Sequence, residues 1–125
     1  MSVKILIIED EKAIRDIYTL VLQKEGFIVE VAANGVEAIS KLNVFNPQII
    51  LLDMVMPVMD GEGFLRHAKL RSKRPDTKTI ILSNLSGALP NKYKKSYGVS
   101  HSVLKSSLNP KELVKVINLV NLNRI

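Results

Sequence analysis

Short apolar segments alternate with amphipathic ones along the chain, and this alternation restricts the fold more than any other feature of the sequence. Strands are predicted where the apolar runs are short and bounded by polar residues, over residues 3–8, 27–32, 48–53, 79–83 and 99–104. A segment with helical spacing of its apolar residues follows each strand. This order requires right-handed crossovers and a parallel sheet with helices on both faces. We therefore predict one doubly wound α/β domain over residues 1–125.

The predicted helices differ in how clearly their inward faces can be assigned. In the first helix, the residues predicted to face the sheet are Ile14, Ile17, Tyr18 and Val21. The third helix is expected to run without interruption through Phe64, Leu65, Ala68 and Leu70. The fourth, over residues 89–97, has only a weak pattern, with Pro90 near its start. Asn109 is expected to cap the last helix, with Pro110 at its first position. The inward-facing residues of this helix are predicted to be Leu113, Val116, Ile117 and Val120.

Composition excludes several functional classes. The chain has no cysteine, so a disulfide scaffold, a Cys-ligated zinc site and thiol catalysis are all excluded. No apolar run approaches the roughly 18 residues of a membrane span. The first residues lack the long apolar stretch of a signal peptide. We therefore expect a soluble protein of the cytoplasm with no membrane partner.

Charge is distributed unevenly between the two halves of the chain. Residues 1–63 carry five basic and ten acidic side chains, whereas residues 64–125 carry thirteen basic and two acidic ones. A basic half can bind nucleic acid or an acidic partner. We favour simple solvation of the third helix, so nucleic acid is not an expected partner; the residues concerned are Arg66, Lys69, Arg71, Lys73 and Arg74. The cluster of Lys92, Lys94 and Lys95 indicates an acidic protein surface as a partner.

Polar and charged side chains close four of the five predicted strands. In chain order they are Glu9, Asp10, Glu11, Asp53, Ser83 and Lys105. Because ligands bind beyond the carboxyl ends of strands in open α/β sheets, we expect these side chains to lie together. The acids after the first strand would repel a bare phosphate, which excludes the glycine-rich cradle of a dinucleotide-binding fold. They would instead attract a hard divalent cation such as Mg²⁺.

Each of these residues also has a simpler interpretation. Acids are favoured in a first helical turn, Asp53 and Ser83 could be ordinary strand-end residues, and Lys105 could be a surface lysine. Their combination at successive strand ends favours a chemical site. With a divalent ion bound, Asp53 can stay ionised and attack phosphorus, forming an acyl phosphate. Ser83 can then donate a hydrogen bond to the new phosphoryl group.

These motifs resemble the receiver domain of two-component response regulators along essentially the whole chain. Residues 7–11 resemble the acidic-pair strand of that family, and residues 53–61 match its phosphoacceptor strand and loop almost letter for letter. Ser83 stands 30 residues after Asp53, and Lys105 stands 52 residues after it, as the family spaces them. The resemblance implies a flavodoxin-like (βα)5 fold with strand order 2-1-3-4-5.

The resemblance also implies a function and a set of site residues. Asp53 would accept a phosphoryl group from a sensor histidine kinase or a phosphotransfer protein, in a reaction that the domain itself catalyses. Mg²⁺ would be held directly by Asp10, Asp53 and the carbonyl of Val55, and by Glu9 through water. Ser83 and Lys105 would contact the phosphoryl group. Phosphorylation would repack the face of the fourth helix, fifth strand and fifth helix, where an output protein or domain binds.

Three residues depart from the family pattern. Ser102 replaces the usual aromatic switch residue, Ser106 replaces the proline after the lysine, and Asn84 replaces a small residue. His101 is expected on the opposite face of the strand from Ser102, and the bond after Lys105 is expected to be trans. These departures leave open a degenerate receiver that acts as an interaction module without phosphorylation. An aspartate-nucleophile phosphatase is disfavoured because Val55 stands where its second acid would be.

Two apolar residues, Val55 and Leu85, stand where the family tunes the loss of its phosphoryl group. Neither offers a side chain that could orient an attacking water. We therefore expect a comparatively long-lived acyl phosphate.

Overall fold

The computed structural model describes residues 2–84 and 90–123. Its strands are β1 (Lys4–Ile8), β2 (Ile28–Ala32), β3 (Ile49–Asp53), β4 (Lys78–Ser83) and β5 (Val99–Leu104). All neighbouring pairs are parallel, and the sheet has the order β2-β1-β3-β4-β5. This confirms the predicted flavodoxin-like topology. The central strands β1 and β3 carry almost uninterrupted apolar side chains because both of their faces are covered.

Six helices connect or follow the strands in the described part of the chain. They are α1 (Lys12–Lys24), α2 (Gly35–Phe45), α3 (Gly61–Ala68), α4 (Leu70–Lys73), α5 (Asn91–Lys95) and α6 (Pro110–Asn121). A short 3-10 turn over Lys105–Ser107 follows β5. The weak fourth helix predicted over residues 89–97 is observed as α5, and Leu89 lies outside the described residues. The predicted cap of the last helix is confirmed, since the Asn109 side chain accepts from the Glu112 amide at 2.9 Å.

The prediction of one continuous third helix was wrong. Lys69 adopts a left-handed conformation with φ 49°, which ends α3 and starts the short α4. In a continuous helix, Leu70 would point away from the face that carries Ala68, because the two are separated by about 200° at 3.6 residues per turn. The interruption instead allows both Leu65 and Leu70 to be buried in the same core.

Two apolar layers enclose the sheet. Leu6, Ile8, Ile50 and Leu52 pack with α2 and α3 on one face, and Ile5, Ile7, Ile49 and Leu51 pack with α1 and α6 on the other. The inward position predicted for Ile17 was wrong, because its side chain is 50% exposed. Tyr18 and Leu22, four residues apart, are the buried residues of α1. Within the described ranges, no helix combines the length and the hydropathy that crossing a bilayer requires.

Candidate functional site

Three carboxylates meet at the carboxyl edge of the sheet. Glu9 and Asp10 follow β1, and Asp53 ends β3, which is hydrogen-bonded to β1. One carboxylate oxygen from each residue lies within 4.8 Å of the others. Glu9 has no exposed surface and Asp53 is 5% exposed, whereas Asp10 is open to solvent. Oxygen donors at this separation, with one ligand accessible from solvent, fit a hard divalent cation such as Mg²⁺.

Lys105 supplies the positive charge of this edge. It stands at the start of the 3-10 turn after β5, and its Nζ lies 2.5 Å from Glu9 Oε1 and 3.3 Å from Asp53 Oδ2. Burial lowers the pKa of Lys105, but its bonds to Glu9 and its attraction to Asp53 outweigh that effect and raise the pKa overall. The ammonium group therefore stays charged. It connects the end of β5 to the ends of β1 and β3, neither of which is adjacent to β5 in the sheet.

Glu9 has an unusual proton affinity for a glutamate. Burial is the largest cause, followed by its hydrogen bond with Asp53, and together they raise the pKa of Glu9 to about 8 against the opposing effect of Lys105. A buried carboxyl beside a second carboxylate favours the protonated form because two adjacent negative charges repel each other. A divalent cation at this edge would favour the ionised form instead.

Arg15 is a residue of this site that the sequence analysis did not identify. Its guanidinium Nη1 donates to the backbone carbonyls of Glu9 and Asp10, each at 2.9 Å. These bonds connect α1 to the turn that carries two of the three acids. No recognised sequence pattern marks such a contact, because the residue lies on a helix and bonds only backbone oxygens.

The loop after β3 begins directly after Asp53 and is closely packed. The Val55 amide donates to Asp53 Oδ1 at 3.3 Å, and the Gly61 amide donates to the Met54 carbonyl at 3.0 Å. A Cβ on Gly61 would lie 2.7 Å from the Met54 Cα and 3.0 Å from the Asp53 carbonyl oxygen, so only glycine fits there. Asp60 caps α3 by accepting from the Gly63 amide at 2.8 Å. The assignment of the Val55 carbonyl as a metal ligand stays a prediction.

The end of β4 and the adjoining β5 carry the remaining predicted residues. Ser83 ends β4 opposite Leu104, so its position is at the same edge as Asp53 and Lys105. Ser102 and His101 occupy successive positions of β5 and are both half-buried. Burial, together with the nearby Lys94, lowers the pKa of His101. Leu85 lies outside the described residues.

A second cluster connects α3 to α5. Glu62 Oε2 accepts from Lys92 Nζ at 2.7 Å and from the Tyr97 hydroxyl at 3.1 Å, while its Oε1 accepts from the Tyr93 hydroxyl at 3.2 Å. The two tyrosine rings meet edge to face with centroids 5.4 Å apart. Lys92 is therefore partly neutralised, whereas Lys94 and Lys95 of α5 are exposed and form no ion pair with another described residue.

Comparison with known proteins identifies the class to which this fold and acidic edge belong. Residues 5–118 match the response regulator receiver domain family, and the chain belongs to that family. Among curated proteins, it is 31% identical to the phosphate regulon transcriptional regulatory protein PhoB of Escherichia coli, over 96% of this chain and 52% of PhoB. It is 43% identical to SphR of Synechococcus elongatus, an alkaline phosphatase synthesis transcriptional regulatory protein, over 50% of this chain and 28% of SphR. The chain thus spans about half or less of the length of these relatives.

Solved structures of receiver domains and response regulators also resemble this chain. The receiver domain protein of Methanospirillum hungatei superposes with a TM-score of 0.86 at 27% identity, covering 99% of this chain and 97% of that one. Chemotaxis protein CheY4 of Vibrio cholerae has a TM-score of 0.83 at 29% identity, with 94% and 98% coverage. TrrA of Thermotoga maritima, in complex with Mg²⁺-BeF, has a TM-score of 0.74 at 30% identity, with 94% and 97% coverage.

Proposed function

We propose that residues 1–125 form one receiver domain in which Asp53 is the phosphoacceptor of a two-component phosphorelay. The observation that carries this proposal is the convergence of Asp53 with Glu9, Asp10 and Lys105 at one edge of the sheet. Asp53 lies 3.3 Å from the Lys105 ammonium group, and one of its oxygens lies within 4.8 Å of carboxylate oxygens of Glu9 and Asp10 that could hold a metal ion with it. The Mg²⁺ complex of the Thermotoga relative supports the same ion for this chain.

The proposed reaction transfers a phosphoryl group from a phosphohistidine to Asp53. The P–N bond of the donor breaks, an Asp53 oxygen forms the new P–O bond, and the histidine of the donor recovers a proton. When bound to Glu9, Asp10, Asp53 and the Val55 carbonyl, Mg²⁺ would supply neutralisation of the phosphoryl oxygens. Lys105 would stabilise the negative charge of the transferring group, and Ser83 would donate a hydrogen bond to the product.

The donor in this proposal is a sensor histidine kinase or a phosphotransfer protein in the cytoplasm. The output protein or domain would bind the face formed by α5, β5 and α6. Lys94 and Lys95 on that face support a partner of opposite charge, and nucleic acid is not part of the proposal.

Intact-protein mass after incubation with acetyl phosphate and Mg²⁺ tests the proposal. We expect a gain of one phosphoryl group in the wild type and in the control Asp76→Asn, which removes an exposed aspartate on the α4–β4 turn. We expect no gain in Asp53→Asn or without Mg²⁺. A wild type that acquires no phosphoryl group from this donor or from a cognate kinase would favour the degenerate interaction module.

A further inference from the structure

A concave groove lies between the α3–α4 junction and the turn that follows α5. It encloses about 690 Å³ and shares no residue with the acidic edge of the sheet. Leu65 and Tyr97 form its apolar part, and Ser72 and Ser96 add hydroxyl groups. The charged side chains among its described lining residues are all cations, namely Arg66, Lys69 and Arg71.

The three cations of this groove are not neutralised by the described part of the protein. All three residues are exposed, and every ion pair between described residues uses other lysines. Arg74, by contrast, is held by the side-chain carbonyls of Asn43 and Asn46 at 3.0 and 2.9 Å. The groove therefore carries a positive potential that attracts an anionic ligand.

The aromatic wall of the groove is held in place before any ligand arrives. The Tyr97 hydroxyl is bonded to Glu62, and its ring packs edge to face on Tyr93. Gly98 has φ 72°, and a Cβ there would lie 3.5 Å from the Cβ of Arg71, so the turn closes against α4. A preformed wall lowers the conformational entropy that binding must remove.

We propose that this groove binds an acidic segment of a protein partner that carries one bulky apolar side chain. The apolar side chain would pack against Tyr97, and the carboxylates would face Arg66, Lys69 and Arg71. Arginine suits this role because its planar guanidinium matches a carboxylate with two parallel hydrogen bonds. Single-stranded nucleic acid fits less well because stacking of successive bases needs several aromatic rings. Among the described residues that line this groove, Tyr97 is the one aromatic residue.

The inference extends the proposed function, because a receiver that works through protein contacts needs partner surfaces. It does not depend on phosphorylation, and the test uses unphosphorylated protein without Mg²⁺. Asp53→Asn should bind the same segment with unchanged affinity. Failure at the groove and failure of phosphoryl transfer are therefore distinguishable.

The test is a titration with a fluorescently labelled synthetic peptide of alternating Glu and Ser residues with one central Phe. Binding is measured by anisotropy and located by amide NMR shifts. We expect shifts at Arg71, Ser72, Ser96 and Tyr97. The pair Arg66→Glu/Arg71→Glu should weaken binding about tenfold or more, as expected for loss of two charge-assisted contacts. Arg66→Gln/Arg71→Gln, which keeps the long side chains, should weaken it in the same direction.

The matched control is Lys24→Glu/Lys111→Glu, which makes the same change of charge on α1 and α6, across the sheet from the groove. This pair should leave binding nearly unchanged, and replacing the central Phe of the peptide by Ser should weaken it. An equal loss of affinity in Arg66→Glu/Arg71→Glu and in Lys24→Glu/Lys111→Glu would mean diffuse charge attraction and would overturn the proposal. So would absence of binding, or tighter binding of oligothymidine or ATP at the same amides.

Discussion

The carboxyl group of Glu9 gives the protein a pH-dependent stability. Its pKa is raised from 4.5 to about 8, so the folded state holds this proton more tightly than the unfolded chain does. Glu9 therefore contributes stability that is fully present below about pH 4.5 and is lost as the pH rises through about 8. In urea titrations without Mg²⁺, we expect the free energy of unfolding to fall across this range, and to fall less in Glu9→Gln.

Glu11→Gln is the control for this experiment, since Glu11 is an exposed neighbour outside the cluster. In this variant, the free energy of unfolding should fall with pH as steeply as it does in the wild type. An unchanged slope in Glu9→Gln would show that another group carries the pH dependence.

At the level of single residues, the sequence was most informative where side chains end strands. Asp53, Glu9, Asp10 and Lys105 could be placed together because parallel strands bring their carboxyl ends to one edge. Arg15 could not be found in this way, since its contacts are with backbone carbonyls whose positions depend on the folded turn. The convergence of Lys92, Tyr93 and Tyr97 on Glu62 likewise depends on how α5 and the turn after it pack against α3.

At the level of elements, a second prediction concerns the caps of two helices. Asp60 and Asn109 each accept one backbone hydrogen bond at the start of their helix, at 2.8 and 2.9 Å. Replacing either by alanine should lower the free energy of unfolding by about 1 kcal/mol. We expect only Asp60→Ala to slow phosphorylation as well, because α3 starts beside Met54 and Asp53.

Urea unfolding and the rate of mass gain with acetyl phosphate measure the two effects separately. Asn109→Ala is the matched control of equal stability cost on α6. A slower reaction in both variants would attribute the change to general destabilisation.

Element boundaries were predictable where local sequence and packing agree. The strands and the Asn109 cap of α6 are such cases. The break at Lys69 was not predictable from periodicity, because it follows from the need to bury both Leu65 and Leu70. The exposure of Ile17 has a similar origin, since the buried stripe of α1 is narrow and is occupied by Tyr18 and Leu22.

For the whole molecule, we predict that Mg²⁺ stabilises the fold. An ion that binds only the folded state adds about 2.7 kcal/mol to the free energy of unfolding at a hundredfold excess over its Kd. Thermal unfolding with increasing Mg²⁺ should therefore show a rising Tm in the wild type and in Asp76→Asn. The rise should be much smaller in Asp10→Asn. An equal rise in all three proteins would place the ion elsewhere.

The bridge from Lys105 to Glu9 and Asp53 gives the protein a counterion of its own. Without it, the carboxylates of this acidic edge would repel one another whenever no metal ion is bound. Because the lysine already offsets part of the negative charge, we expect depletion of Mg²⁺ to prevent the proposed phosphorylation without unfolding the domain. In a cell with little free Mg²⁺, the protein would then remain folded but inactive. It would regain the proposed activity when the concentration of the ion rises, without synthesis of new protein.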